Sequence, residues 1–211
     1  MIDKKVIEHA VEQALAEGKG KRKFSQSIDL AINFKDIDFK KTENRLNIEV
    51  VLPHVFKPVK IAVFAEGETA TKAKPLVDAV YGSADIDSFA KDKVKQKELL
   101  EFTLLAEPRL MAPIGKSLGQ LLGAKGKLPR PLPPNVDLKS LVDKTRRTKV
   151  IKTKGKGLPT VHCGFGNEGM AAPELAENAF AVLESIEKKV GENKVKSAFI
   201  KTTMGKPVKV Q

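Results

Sequence analysis

The chemically capable residues of this chain of 211 lie in a few short stretches. Gly115-Lys116-Ser117 has the ending of a phosphate-binding loop, in which backbone N–H groups wrap a phosphate and the lysine reaches its outer oxygens. Such a loop needs a second glycine at position 110, where Leu110 stands, so the stretch reads as a helix start. His162 and Cys163 are adjacent on a candidate strand and leave it on opposite faces. They cannot easily share a metal or act as nucleophile and base on one another, and His9 and His54 carry no ligand spacing. Cys163 is the only cysteine, which excludes an internal disulfide and a four-cysteine zinc site; its simplest role is a small buried apolar residue. Gly164-Phe165-Gly166 has the aromatic centre of an RNA-recognition strand, but that motif continues with Phe and Val, and Asn167 and Glu168 follow here. The glycines then serve a tight loop. Thr202-Thr203-Met204-Gly205-Lys206-Pro207 closes a strand with two hydroxyls, a flexible apolar side chain and a glycine that lets another backbone approach.

Two basic runs are least like core. One is Lys19-Gly20-Lys21-Arg22-Lys23; the other holds Lys144, Arg146, Arg147, Lys149, Lys152, Lys154 and Lys156 with no acid among them. Such runs repel themselves without a counter-anion, and phosphate fits them. They supply affinity and salt dependence, not sequence preference. The whole chain repeats the pattern, with 38 Lys and Arg against 26 Asp and Glu and a formal charge of +12, which favours a polyanionic partner. Composition leaves RNA, DNA, acidic lipid and acidic protein open. A hydrophobic content of 41% is too high for a disordered chain. No apolar run reaches the roughly 18 residues of a membrane span. The first residues carry acids and lack an apolar signal core, so the expected compartment is the cytoplasm, with no membrane partner.

The elements that must position these residues follow from periodicity. Val6, Ile7, Ala10, Val11, Ala14 and Leu15 predict a helix over 4–17, with Asp3 as cap and Gly18 as stop. Alternation of Ile28, Leu30, Ile32 and Phe34, and then of Leu46, Ile48, Val50 and Leu52, predicts two half-buried strands, antiparallel to each other across the polar stretch 35–45. A third strand candidate is 59–64. The middle alternates: helix near 69–80, strand near 84–86, helix near 88–98, strand near 101–105, helix near 113–122, then a loop rich in Gly, Pro and Lys. The last section reads as a strand from Thr160 to Phe165, a helix opened by Pro173 and ended by Gly191, and a strand from Lys196 to Thr203. The ends are α+β and the middle is α/β. Each end alone is marginal for a core, so an economical solution packs the ends together with the middle inserted.

Read in order, several of these stretches resemble the ribosomal protein L-one family, the large-subunit proteins of the mobile lateral stalk beside the tRNA exit site. They are Lys23-Phe24-Ser25-Gln26-Ser27-Ile28-Asp29-Leu30, Val51-Leu52-Pro53-His54, the central run from Leu110 to Pro129, Thr160-Val161-His162 and Thr202-Thr203-Met204-Gly205. Length and lysine content look closest to the archaeal branch. The resemblance implies an α+β terminal domain, an antiparallel sheet with two helices built from both chain ends (1–66 and 154–211). It also implies an inserted α/β Rossmann-like three-layer domain (67–153), with crossings near Ala65-Glu66-Gly67 and Lys154-Gly155.

The resemblance further implies a non-enzymatic protein, a monomer when free, without cofactor or metal. Its partners would be the stalk region of large-subunit rRNA, tRNA leaving the exit site, and its own mRNA, whose translation it would repress. The RNA surface carried over comprises Phe24, Ser27, Thr160, His162, Thr202, Thr203, Met204 and Gly205, with Lys21, Arg22, Lys23, Lys154 and Lys201 as the ionic surround. The loop 123–130 would make weaker contacts or meet tRNA. Phe24 is in phase with Ile28 and Leu30, so a core role competes with an RNA role. The segment from Cys163 to Met170 departs from the Pro and Lys of many relatives. Two other readings stay open. One is a cytoplasmic enzyme whose α/β insertion binds a nucleotide, which calls for a cleft with clustered carboxylates or a glycine-rich loop; neither is visible in the sequence. The other is a generic basic nucleic-acid binder.

Overall fold

A computed structural model describes residues 4–18, 20, 22–39, 41, 44–57, 59–133, 137–153 and 158–210. In chain order the elements begin with α1 (Lys4–Gly18), β1 (Ser27–Phe34), β2 (Asn47–Val51), β3 (Ile61–Phe64), α2 (Gly67–Ala73) and β4 (Ala79–Tyr81). Then come α3 (Ser83–Lys91), α4 (Lys93–Leu99), β5 (Thr103–Ala106), α5 (Pro108–Lys125), β6 (Arg130–Pro131) and α6 (Leu138–Arg147). The last are β7 (Thr148–Lys152), β8 (Thr160–Asn167), α7 (Ala172–Val190), β9 (Val195–Thr202) and β10 (Val208–Lys209). They form two compact units, Met1–Lys57 with Arg147–Gln211, and Pro58–Arg146.

In the terminal unit β1 is a central strand. The sheet order is β10-β9-β1-β8, antiparallel throughout. Ile28, Leu30, Ile32 and Phe34 point into one core with Ile7, Val11 and Ala14 of α1 and Leu175, Ala179 and Val182 of α7. The expected pairing of the first two strands does not occur. Both edges of β1 are taken by strands from the far end of the chain, and β2 pairs instead with β7, Ile48 opposite Ile151. Alternation reports which face is wet, not which strand lies alongside.

Gly164-Phe165-Gly166 lies within β8 and is not a tight loop. The register skips Phe165: Ile28 faces Gly166 and Asp29 faces Gly164, so the segment is a bulge that buries the Phe165 ring. A Cβ on Gly166 would stand 2.0 Å from Leu175 Cδ2, so this glycine lets α7 lie close on the sheet. Asn178 Nδ2 donates to Phe165 O at 3.0 Å, giving the bulge carbonyl a partner.

The second unit holds a parallel sheet in the order β4-β3-β5-β6. Its central strands, β3 and β5, are buried on both faces. Ala62 and Phe64 join a cluster with Ile86, Phe89, Leu104 and Ile114, while Ile61, Val63 and Ala65 join one with Ala73, Leu105, Leu132 and Val142. That is why β3 reads as an unbroken apolar run. The middle elements are shifted from their expected places. α2 ends at Ala73, two residues before Pro75, which cannot donate to a helix. The strand follows at 79–81, not 84–86. The helix expected near 88–98 is divided at Asp92, which is extended and whose Oδ1 accepts from Val94 N to start α4. Gly115-Lys116-Ser117 sits inside α5, which Pro108 opens, and not at a helix start.

The described part of the second basic run, Lys144 to Lys152, is regular structure. It crosses the end of α6 and all of β7. Consequently the units divide at 57/58 and 146/147, earlier than the expected 66/67 and 153/154. β3 is an interior strand of the parallel sheet and β7 the partner of β2, so each belongs to the unit whose hydrogen bonds it completes.

Candidate nucleic-acid interface

The end of α1, the approach to β1, the end of β8 and the end of β9 meet at one corner of the terminal unit. Beyond β9 the chain turns through Thr203-Met204-Gly205. Thr203 N and Thr203 Oγ1 both donate to Ser27 O, at 3.0 and 3.1 Å. Gly205 N donates to Thr202 O at 3.1 Å, and Met204 N donates to Gln26 Oε1 at 3.1 Å. The turn is therefore held by its backbone, which leaves the Met204 side chain free at 59% exposure. Phe24 is 52% exposed, because β1 begins only at Ser27 and the strand phase does not reach back to it. Arg22 and Lys23 are exposed beside it. Ser27 is half-buried, with its carbonyl committed to Thr203.

Thr202 requires a correction. It shares the inward phase with Ile200, is 0% exposed, and its Oγ1 has no hydrogen-bond partner. A Cβ at Gly18 or Gly205 would stand 2.3 or 2.2 Å from that oxygen. Thr202 is thus packed between two glycines and offers nothing to a partner in this conformation.

Thr160 and His162 stand apart from the corner. Asn33 pairs with Thr160 and Ser27 with Asn167, so Thr160 lies about 20 Å along β1 from Ser27 at ~3.3 Å per residue. Thr160 Oγ1 donates to Asn33 Oδ1 at 3.0 Å. His162 is exposed midway along the helix-free face of the sheet, at a cavity of about 490 Å³ lined also by Asp29, Lys149, Lys152 and Lys201. Lys201 faces Asp29 in register, and Lys149 Nζ sits 5.0 Å from the Phe56 ring centroid. Three lysines and one carboxylate leave this face positive. Lys21 and Lys154 lie outside the described residues. Cys163 is buried opposite His162, and burial pushes its thiol up to about 11, so it is protonated and unreactive at neutral pH.

Sequence reasoning missed two residues. Gln26 is 1% exposed and joins three segments; its polar type at an inward-phase position was the available signal. Asn178 is 0% exposed and accepts from His54 N at 2.9 Å while donating to His54 O at 3.0 Å. Next to it, Glu177 takes His54 Nε2 at 2.8 Å and Lys4 Nζ at 3.0 Å. These partners, the His54 hydrogen bond first, hold the Glu177 carboxyl below its ordinary range. The Leu52-Pro53-His54 signature is thus a seat on α7.

The second unit modifies two expectations. Of the expected loop 123–130, the first three residues belong to α5 and Arg130 to β6; in the connection between them Lys127 Nζ donates to Leu100 O and to Phe102 O, the latter at 3.3 Å, so this cation is a structural clasp. A cleft with carboxylates is present after all. At the carboxyl ends of β3 and β5 a cavity of about 1090 Å³ is lined by Glu66, Glu68, Glu107 and Asp137, with Lys72 and Arg109. Four carboxylates against two cations oppose nucleotide phosphate. No three His, Cys, Asp or Glu side chains could together hold a metal among the described residues. No helix among them is long and apolar enough to cross a membrane.

The profile of the "Ribosomal protein L1p/L10e family" matches residues 11–206. The chain is 42% identical over 218 residues to the large ribosomal subunit protein uL1 of Archaeoglobus fulgidus, covering 100% of this chain and 99% of that one. It is 40% identical over 209 residues to the protein of the same name from Thermoplasma volcanium, covering 97% and 95%. It is 41% identical over 216 residues to that of Methanocella arvoryzae, covering 100% of both. With the family profile matching most of its length and relatives about 40% identical from end to end, the chain belongs to the ribosomal protein L1 family.

Proposed function

We propose that this protein is a structural constituent of the large ribosomal subunit, working in the cytoplasm, and that it grips the stalk region of large-subunit rRNA with the corner formed by Phe24, Ser27, Thr203, Met204 and Gly205. The single observation that carries this reading is the Thr203-Met204-Gly205 turn, fixed by hydrogen bonds to Ser27 O and Gln26 Oε1 with its Met204 side chain exposed. Hydroxyl and backbone groups there suit 2′-OH and phosphate, and Phe24 and Met204 exclude water around those bonds. Arg22, Lys23 and Lys201 supply an ionic share, with Lys149 and Lys152 extending the positive face and His162 exposed on it. Recognition on this reading is of RNA shape. The family is one of structural proteins, not of enzymes.

The inserted unit is read as a Rossmann-like three-layer domain, supported by its parallel sheet with an apolar cluster on each face. Assistance to departing tRNA and repression of its own mRNA are part of the same proposal, resting on the family likeness. The experiment is binding to a stalk rRNA fragment and to an unrelated structured RNA of equal length across a salt series, for wild type and a Thr203→Val, Met204→Ala double variant. The stalk RNA should win at high salt, and the variant should lose that margin while keeping the salt slope. Equal binding of both RNAs, vanishing together as salt rises, would leave only the generic basic binder.

A further inference from the structure

We infer that Gln26 is the positioning residue of the Thr203-Met204-Gly205 turn, its side-chain amide setting where the turn sits on the end of α1. The inference rests on the reading of that turn as the RNA contact. Gln26 Nε2 donates to Gly18 O, the last residue of α1, at 2.7 Å, and reaches Glu168 Oε2 just beyond β8 at 3.5 Å. Gln26 Oε1 accepts from Met204 N at 3.1 Å. Its own carbonyl accepts from Glu168 N at 3.0 Å. One buried side chain thus ties together a helix end, a strand end and the turn.

The partner of Met204 N is a side chain and not a backbone carbonyl, so the place of Met204 depends on the Gln26 rotamer. Thr203, by contrast, is fixed by Ser27 O. There is no slack behind the turn, since Thr202 is wedged between Gly18 and Gly205. Gln26 therefore presents Thr203 and Met204 as a set. Without its amide the Met204 N–H turns to water, a second arrangement of the turn is populated, and RNA affinity falls by the fraction no longer competent.

The test uses the full chain, with Gln26→Leu and Gln26→Glu. Amide hydrogen exchange at Met204 is read without RNA. Affinities are read for the stalk rRNA fragment and the unrelated RNA. In Gln26→Leu, Met204 exchange should quicken about tenfold and the preference for stalk RNA should fall about tenfold, with the salt slope unchanged. Placed in the Thr203→Val, Met204→Ala background, Gln26→Leu should cause no further loss of preference. Gln26→Glu keeps the acceptor for Met204 N. Protonated, it also donates to Gly18 O; ionised, it faces that carbonyl and the Glu168 carboxylate. Its preference for stalk RNA should be near wild type in acid and fall as pH rises, a dependence that a packing role would not create. Unchanged Met204 exchange, additive losses in the combined variant, or a flat pH profile for Gln26→Glu would overturn the inference. If Met204 exchange responds while the Thr203→Val, Met204→Ala variant keeps its full preference, the RNA reading of the turn fails and the hold of Gln26 on the turn stands.

Discussion

Gln26, Thr145, Asn178 and Thr202 are the buried polar side chains among the described residues, and two of them, Gln26 and Thr202, stand behind the Thr203-Met204-Gly205 turn. Asn178 satisfies His54 N, His54 O and Phe165 O at once. Asn178→Leu strands those backbone groups, and the expected cost is about 3 kcal/mol, readable by urea unfolding. Its neighbour Glu177 brings a pH dependence. Its folded-state pKa is depressed from 4.5 by His54 and Lys4, so its stabilising contribution is full above 4.5 and is lost as pH falls through the lower folded value. Thermal melting of Glu177→Gln should therefore lose less stability than wild type across that acid range. Cys163 should react with a thiol reagent only once the chain unfolds, because it is buried and its thiol is pushed up to about 11. At this scale residue type alone singles out Thr203, Met204, Arg22 and Lys23, which the fold leaves exposed. Thr202 was misread because adjacent threonines look alike, and only strand phase separates the inward one from the outward one.

At the scale of elements, glycines and lysines owe their positions to neighbours far along the chain. Gly166→Ala would push a methyl against Leu175, which is itself buried and has nowhere to go. The expected loss is about 1–3 kcal/mol by denaturant unfolding, partly recovered by Leu175→Val. Lys127→Ala should destabilise the chain by roughly 1 kcal/mol while leaving affinity for stalk RNA unchanged, since this cation is spent on Leu100 O and Phe102 O. Helices with a strong apolar stripe, α1 and α7, were readable nearly to their ends. β7 was hidden by its own lysines: a strand with one fully buried side chain, Ile151, carries too little alternation to show through a run of cations. The β8 bulge was hidden for a different reason, because its cause, the close approach of α7, is tertiary.

For the whole molecule, the failure of either end to build a core alone pointed to an insertion between them, and the chain divides into the compact units Met1–Lys57 with Arg147–Gln211 and Pro58–Arg146. The points of division are not readable from pattern, since they depend on which strand completes which sheet. The net charge of +12 favours a polyanion without choosing a site, and on the proposed reading specificity comes from the corner where α1, β1, β8 and β9 end. That is the central claim, and hydrogen–deuterium exchange of the full chain, free and with the stalk rRNA fragment, tests it most directly. Protection on binding should be greatest at 22–27 and 203–205. It should persist at a salt concentration that releases the unrelated RNA. Protection concentrated at Glu66–Glu68 and Glu107–Arg109, or spread evenly over the lysines and lost with added salt, would contradict it.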